Sequence, residues 1–281
     1  MDTFRQYINE ELKNIYSEQE IRGFYFLVME FLTGQSRVHI LANKNNHLSE
    51  TQINEFEIIV SRLKKQEPLQ YILGEEVFCG LRFKVNPHVL IPRPETEELV
   101  LWIVEEYKGK SGLSVLDIGT GSGCIAISLT KKLADADVHA YDVSVQTIEV
   151  ALENAKLNKV DVNFSRVDVL SPEFSATEGL NFDIIVSNPP YVCEREKIQM
   201  EENVLGYEPS VALFVPDHDP LIFYRKIALF AKKNLSGNGA LFFEINQAYG
   251  KEMIAMLSEL GFAEVTLRQD IFGNDRMIKA I

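Results

Sequence analysis

The stretch Ser114-Val115-Leu116-Asp117-Ile118-Gly119-Thr120-Gly121-Ser122-Gly123 decides the fold class. Its apolar half reads as a buried strand over residues 113–118, and a helix with apolar spacing follows over 125–133. Between them stands a glycine at every second position, where the backbone must turn sharply and leave room beside itself. A strand, a glycine turn and a helix open a doubly wound α/β sheet, in which ligands bind beyond the carboxyl ends of the strands. Further along, residues 138–141, 162–167, 182–186 and 240–245 read as strands, and 144–157, 220–233 and 251–260 as helices. Strands that are apolar on both sides belong to a parallel sheet covered on both faces. The tail departs from that rhythm. Residues 264–268 and 276–281 are strands with a short loop between them, which predicts an antiparallel pair at one edge.

Toward the N-terminus the chain changes character. Pro87, Pro92 and Pro94 enforce an extended path ahead of a helix predicted from about Glu95 to Tyr107. Residues 71–85 read as a β-hairpin turning at Cys79-Gly80 and bridging two domains. Before that, residues 3–65 read as helices. Ile8, Leu12, Ile15 and Tyr16 share one face, as do Ile53, Phe56, Val60 and Leu63. Phe24, Phe26, Leu27, Met29, Phe31 and Leu32 are dense enough for a buried helix. The predicted division is 1–68 as a helical docking domain, 69–93 as hairpin and linker, and 94–281 as the main domain.

Of 281 residues, 46% are hydrophobic and 25% charged, which suits a chain that buries a core and excludes wholesale disorder. Lys and Arg number 28 against 41 Asp and Glu, a formal net charge of -13. Proteins whose main partner is a duplex nucleic acid usually carry the opposite sign, because neutralising phosphate supplies most of the affinity. Cys79, Cys124 and Cys193 form no CxxC pair and no Cys/His cluster, so neither a metal centre nor a disulfide framework is expected. The start, Met1-Asp2-Thr3-Phe4, lacks a basic segment followed by an apolar run. No apolar stretch approaches the roughly 20 residues of a membrane span. A cytoplasmic protein follows as the expectation.

The glycine loop admits three readings. It is a tight turn and nothing more, or it binds a dinucleotide, or it binds a smaller nucleoside. Cys124 occupies the last glycine position of the GxGxxG dinucleotide fingerprint, and no Gly-Lys-Ser/Thr follows for a triphosphate. Asp142 ends the next strand about 20 residues on, the place from which an acid reaches ribose hydroxyls. A nucleoside cofactor without a pyrophosphate fits best, and S-adenosylmethionine is the common one. Asp117 then stands where it can meet the cofactor's ammonium, directly or through water, and Asp168 where it can bind the adenine amino group.

Asn188-Pro189-Pro190-Tyr191 continues the strand of residues 182–186 into a rigid polar corner. The nitrogen of an amide or aromatic amine is a poor nucleophile, since its lone pair is delocalised. A protein helps by accepting both of its N–H hydrogens and holding it in line with an electrophilic methyl group. Asn188 offers a side-chain carbonyl, and Pro189 a backbone carbonyl on a chain whose φ angles are fixed. The ring of Tyr191 is expected to pack over the planar target. Taken alone, the tetrapeptide is as readily a proline turn.

Glycine loop, Asp142 and Asn188–Tyr191 together resemble the class I S-adenosylmethionine-dependent amino-group N-methyltransferases. That resemblance implies a seven-stranded Rossmann-like sheet whose last strand is antiparallel. Further segments resemble the PrmC/HemK family: Pro68-Leu69-Gln70-Tyr71-Ile72-Leu73-Gly74, then Val89 to Glu97, Tyr207-Glu208-Pro209, Phe223-Tyr224-Arg225, and Asp270-Ile271-Phe272-Gly273-Asn274-Asp275-Arg276. The resemblance implies methylation of the N5 amide of the glutamine in the Gly-Gly-Gln loop of class I peptide chain release factors. It implies cofactor contacts from Gly119, Thr120, Gly121, Ser122, Gly123, Asp142 and Asn188, and substrate contacts from Asn188, Pro189, Pro190 and Tyr191. The N-terminal helices and hairpin would help dock the factor. Arg93, Glu95 and Thr96 either shape the cofactor pocket or cap a helix. Val169, Pro220 and Asn246 depart from the family pattern, which has an aromatic residue or glycine at these places. A monomer with no metal, no membrane contact and no nucleic-acid substrate is expected. The competing readings are a nucleic-acid amino-group methyltransferase, acting on adenine N6 or guanine N2, and an inactive cofactor-binding scaffold.

Overall fold

The computed structural model describes residues 3–42 and 47–281. Met1 and Asp2, where the N-terminal reading begins, lie outside the described residues. Chain contacts gather into two compact units, Met1–Gly74 with Glu201–Tyr207, and Glu75–Met200 with Glu208–Ile281.

The smaller unit is helical, with α1 (Thr3–Leu12), α2 (Glu18–Thr33), α3 (Arg37–Ala42), α4 (Glu50–Leu63) and α5 (Leu69–Leu73). Ser17 caps α2 and Ser49 caps α4. In each, the serine hydroxyl accepts from the third helical N–H, and the Glu20 or Gln52 side chain accepts from the serine N–H in return. Ile8, Leu12, Phe26, Met29, Phe56, Val60 and Leu63 meet in one core. The dense apolar run is amphipathic, not buried all round: Leu27 and Phe31 face outward, as does Ile15. Residues 71–73, expected in the hairpin, are the last turn of α5, which ends at Gly74 in the left-handed region (φ 75°). The short helix Glu202–Tyr207 returns to this unit. There the Tyr207 hydroxyl donates to the Lys65 carbonyl at 2.8 Å, and the Gln66 amide to Glu202 at 2.8 Å.

The larger unit begins with the hairpin β1 (Glu75–Phe78) and β2 (Leu81–Lys84). Cys79 and Gly80 both take positive φ, 52° and 78°, as a two-residue hairpin turn requires. After α6 (Pro94–Glu106) come β3 (Ser114–Ile118), α7 (Cys124–Lys132), β4 (Asp137–Asp142), α8 (Val145–Asn158), β5 (Asn163–Arg166) and β6 (Phe182–Ser187). Then follow α9 (Ile222–Asn234), β7 (Leu235–Glu244), α10 (Gly250–Glu259), β8 (Val265–Gln269) and β9 (Asp275–Ala280). The seven strands line up as β8-β9-β7-β6-β3-β4-β5. Pairs among β3 to β7 are parallel, while β9 runs antiparallel to both β7 and β8. This is the sheet expected from the sequence, with its last strand reversed.

Alternation along each strand builds two cores. Val115, Ile184, Val186 and Phe242 pack with α6 and α7, whereas Leu116, Ile185, Leu241 and Phe243 pack with α9 and α10. One strand is longer than the apolar run suggested. β7 starts at Leu235, which pairs with Phe182; the register then shifts across residues 236–239 and resumes with Ala240 opposite Ile184. Three short helices, Pro172–Ala176, Glu202–Tyr207 and Ser210–Leu213, lie outside the predicted helices. Among the described residues no helix is long and apolar enough to cross a membrane. The chain order leaves β3 for β4 on one side and returns to β6 on the other. Loops after β3 and β6 therefore diverge at the topological switch point, where such sheets open a crevice.

Candidate active site

The loops after β3, β4, β5 and β6 surround a cavity of about 330 Å³, within the 300–1,000 Å³ range typical of small-ligand sites. Gly119, Thr120, Gly121 and Ser122 form one wall, with Asp142 and Val143 beside them. Asp168 and Val169 lie at the end of β5, and Asn188, Pro189 and Pro190 at the end of β6. The segment from His88 to Arg93 and Thr96 contribute the facing wall. That segment is pinned at both ends. The Thr147 hydroxyl donates to the His88 carbonyl at 2.9 Å, and the Ile91 N–H donates to Glu208 at 3.2 Å. Glu208, whose side chain is 1% exposed, also pairs with Arg93.

The glycine loop keeps its donors for itself. The Gly119 and Thr120 N–H groups donate to the Tyr141 carbonyl, the Gly121 N–H to Asp142 at 3.1 Å, and the Gly123 N–H to the Thr120 carbonyl. A loop that cradles phosphate turns such N–H groups toward the ligand. Here they are spent internally, which argues against a dinucleotide or triphosphate. Asp142 accepts from Gly121 and from the Ser144 N–H, one bond to each carboxylate oxygen. Each oxygen has a further lone pair, and burial raises this carboxyl above its usual range. A ligand presenting hydroxyl donors suits it. Val143, Val167 and Val169 make the neighbouring surface apolar, suited to the face of a base. This donor set and these walls fit S-adenosylmethionine. Asp168 turns one oxygen to the Leu170 N–H at 2.8 Å and lies exposed at the rim.

Three expected site residues do not line the cavity. Asp117 is fully buried beneath the loop, where one oxygen accepts from the Thr120 hydroxyl at 2.7 Å and the Ala126 N–H at 3.3 Å. Its other oxygen has no partner, and desolvation pushes the carboxyl up to about 7. The direct contact expected between Asp117 and an ammonium group is not what this geometry offers. Gly123 packs instead of binding. A Cβ there would sit 2.9 Å from Ile127 Cδ1 and 3.3 Å from Ala151 Cβ, so it lets α7 and α8 close together. Tyr191 was expected over the target group; its hydroxyl instead donates to Glu244 at 3.1 Å, and its ring packs with the α9–α10 core.

Thr96 and Glu244 complete the polar corner. Asn188 Nδ2 donates to Thr96 Oγ1 at 3.2 Å, and that hydroxyl donates to Glu244 Oε2 at 2.6 Å. With Nδ2 anchored, Asn188 Oδ1 takes no bond from any described residue and is left for the cavity. Glu244 is 1% exposed, and burial raises its carboxyl while Thr96, Tyr191 and the charge of Arg276 hold it back. In the sequence Glu244 stands where the family pattern has the Glu of Glu-Ile-Gly, but the sequence reading gives it no site role. Asn246, a departure from the family pattern, caps the next turn through the Ala248 N–H. Its amide also donates to the Tyr191 carbonyl at 3.1 Å and to Glu196, fastening the chain beyond the proline corner.

The comparisons with known proteins agree with this architecture. Residues 4–74 match the PrmC N-terminal domain, and residues 98–205 match the Methyltransferase small domain. A release factor glutamine methyltransferase of Flavobacterium psychrophilum is 49% identical, over 98% of this chain and 97% of its own. One from Bacteroides thetaiotaomicron is 47% identical over 100% and 99%. Among solved structures, the hMettl16 catalytic domain superposes with a TM-score of 0.56 at 18% identity, covering 80% of each chain. A methyltransferase from Pyrococcus furiosus reaches 0.51 at 19%, over 72% of this chain and 89% of that one. At such identities the two structures speak for the fold alone, while the two sequence relatives, near half identical along their whole length, establish that this chain belongs to the release factor glutamine methyltransferase family.

Proposed function

We propose that this chain transfers a methyl group from S-adenosylmethionine to the side-chain N5 amide of the glutamine in the Gly-Gly-Gln loop of class I peptide chain release factors. The single observation that carries the chemistry is the orientation of Asn188. Its amide nitrogen is held by Thr96, so its oxygen is the atom offered to a reactant. Family membership supplies the protein substrate.

When bound, S-adenosylmethionine supplies an electrophilic methyl on a sulfonium centre. Asp142 is suited to its ribose hydroxyls and the loop from Gly119 to Ser122 to its close approach, with Asp168 and Val169 toward the base. Asn188 Oδ1 and the Pro189 carbonyl accept the two N–H hydrogens of the target amide. That pairing holds the nitrogen in place and favours the positive charge that builds on it as its bond to carbon forms. The two prolines keep the acceptors from relaxing away. After transfer the nitrogen is acidic and gives one of its hydrogens, as a proton, to solvent water.

On the same reading the helical unit, which extends from the expected boundary at 68 to Gly74, docks the factor, the hairpin and linker run from there to 93, and 94–281 perform the transfer. From the sequence alone we add a cytoplasmic monomer with no nucleic-acid substrate, for which the charge of -13 is the support. Asn188→Ala is the test of the site. Turnover on a release factor should fall by roughly 100-fold or more while cofactor affinity stays within about threefold. Equal loss in both would place Asn188 with the cofactor and remove the proposed role.

A further inference from the structure

We infer that Thr96 and Glu244 are positioning residues that fix the polarity of the Asn188 amide, so that the site admits N–H groups and turns away a carboxylate in the same place. This rests on the reading of Asn188 as acceptor for the target amide. Counting hydrogens fixes the direction of each bond. Thr96 has one hydroxyl hydrogen and spends it on Glu244 Oε2 at 2.6 Å. Glu244 Oε1 receives the Tyr191 hydroxyl at 3.1 Å, so both carboxylate oxygens act as acceptors. Thr96 Oγ1 then has only lone pairs left to offer Asn188. The nitrogen of Asn188 must therefore face Thr96, at 3.2 Å, and its oxygen must face the cavity.

Three separate elements hold this order. Thr96 comes from α6, Glu244 from the end of β7, and Asn188 and Tyr191 from the turn after β6. The two residues behind Asn188 are shielded from solvent, Thr96 being 2% and Glu244 1% exposed, while Asn188 itself lines the cavity. The charged and titratable groups facing Glu244 are Arg276 from β9, Glu95 from α6, and Tyr191. Tyr224 of α9 donates its hydroxyl to the Glu244 backbone carbonyl at 3.1 Å. Arg276 favours the ionised carboxylate that the relay needs, and is itself fastened by Asp270 and the Ile245 carbonyl. Without Thr96 the Asn188 amide is free to turn over, presenting N–H groups where a glutamine needs acceptors.

The consequence is a matter of selection as much as of rate. A glutamine side chain gives N–H groups to Asn188 Oδ1 and the Pro189 carbonyl. A glutamate at the same place brings only oxygens against those two oxygens. A site built to pair with a group rejects the analogue that lacks it, because its own buried polar atoms are left unpaired.

The experiment uses Thr96→Val, which keeps the shape and removes the hydroxyl, and Thr96→Ser, which keeps the hydroxyl and removes the methyl. Methyl transfer to a purified release factor is measured, with cofactor affinity alongside and circular dichroism to report folding. A factor carrying Glu in place of the Gly-Gly-Gln glutamine serves as competitor. We expect Thr96→Val to lose roughly 10- to 100-fold in turnover with cofactor affinity within about threefold, and Thr96→Ser to stay within about threefold of the native chain. The Glu-bearing factor should compete at least about tenfold better against Thr96→Val than against the native chain. Thr96→Ala is the second variant should Thr96→Val fold poorly, with the same losses expected. Native activity in Thr96→Val with a deficit in Thr96→Ser would mean that Thr96 only packs, and would overturn the inference while leaving the proposed function intact. No transfer by the native chain would overturn the proposed function and this inference with it.

Discussion

Gly123 and Gly119 stand four residues apart in one loop, and the geometry assigns them opposite kinds of importance. Both have positive φ, 81° and 75°, so an alanine at either position is strained. That strain is roughly 1–2 kcal/mol for a single non-glycine residue in the left-handed region. At Gly119 the cost stops there, because a new Cβ meets nothing within 4 Å. At Gly123 the Cβ would lie 2.9 Å from Ile127 Cδ1 and 3.3 Å from Ala151 Cβ. Ile127 and Ala151 are both fully buried, so the Ile127 methyl and the facing helix must shift within a packed core. Overpacking of this kind adds roughly 1–3 kcal/mol. Gly123→Ala should therefore cost about 2–5 kcal/mol and Gly119→Ala about 1–2. For a domain of roughly 200 residues, each kcal/mol lowers the melting temperature by about 2–4 °C. The drop at Gly123 should exceed that at Gly119 by several degrees. Cofactor binding should reverse the order. Gly119 lines the cavity and Gly123 does not, so Gly119→Ala is expected to weaken binding more at a temperature where both variants are folded. Calorimetric melting and titration with S-adenosylmethionine read the two effects separately. Equal melting temperatures, or weaker binding in Gly123→Ala than in Gly119→Ala, would refute the division between packing and binding.

Two other positions give sharp expectations. Asp117 binds a proton more tightly folded, at about 7, than its ordinary value of 3.8, so its contribution to stability is present below about pH 4 and is lost as pH rises through about 7. The melting temperature of the ligand-free chain should fall between about pH 5 and pH 8, and Asp117→Asn should flatten that slope; an unchanged slope would assign the titration elsewhere. Asp142→Ala removes the acceptor of the Gly121 and Ser144 N–H groups and the expected partner of the ribose. Cofactor affinity should drop by roughly 100-fold, as measured by titration calorimetry, and retention of native affinity would contradict the assignment of Asp142.

The sheet was legible because parallel strands covered on both faces leave unbroken apolar runs. Residues 182–186 and 240–245 could hardly be anything else. Both strands of the hairpin and its turn at Cys79-Gly80 were legible, but its first three predicted residues were not. Tyr71, Ile72 and Leu73 have strand-like side chains, yet Gly74 in the left-handed region closes them off as a helical turn. Within the site, Asp117 and Asp142 look equivalent in sequence, each an acid near a strand end. Position within the strand separates them. Asp142 is the last residue of β4 and meets the cavity; Asp117 precedes Ile118 in β3 and turns under α7, where it meets the Ala126 N–H. The contacts that orient Asn188 and draw Tyr191 away come from far along the chain. Thr96 is 92 residues from Asn188, and Glu244 is 148 from Thr96 and 53 from Tyr191. Such pairings arise from the strand order, which no local pattern of residues expresses. Motif reading named the Asn188 carbonyl as the acceptor, and the contacts that hold the amide in that orientation come from the fold.

The central claim is a protein glutamine as methyl acceptor. The direct measurement is transfer of a labelled methyl group from S-adenosylmethionine to a purified class I release factor. A Gln→Ala variant of its Gly-Gly-Gln loop, ribosomal RNA and DNA stand in parallel. Label on the intact factor alone is the predicted result. Label on nucleic acid, or equal label on the Gln→Ala factor, would contradict it.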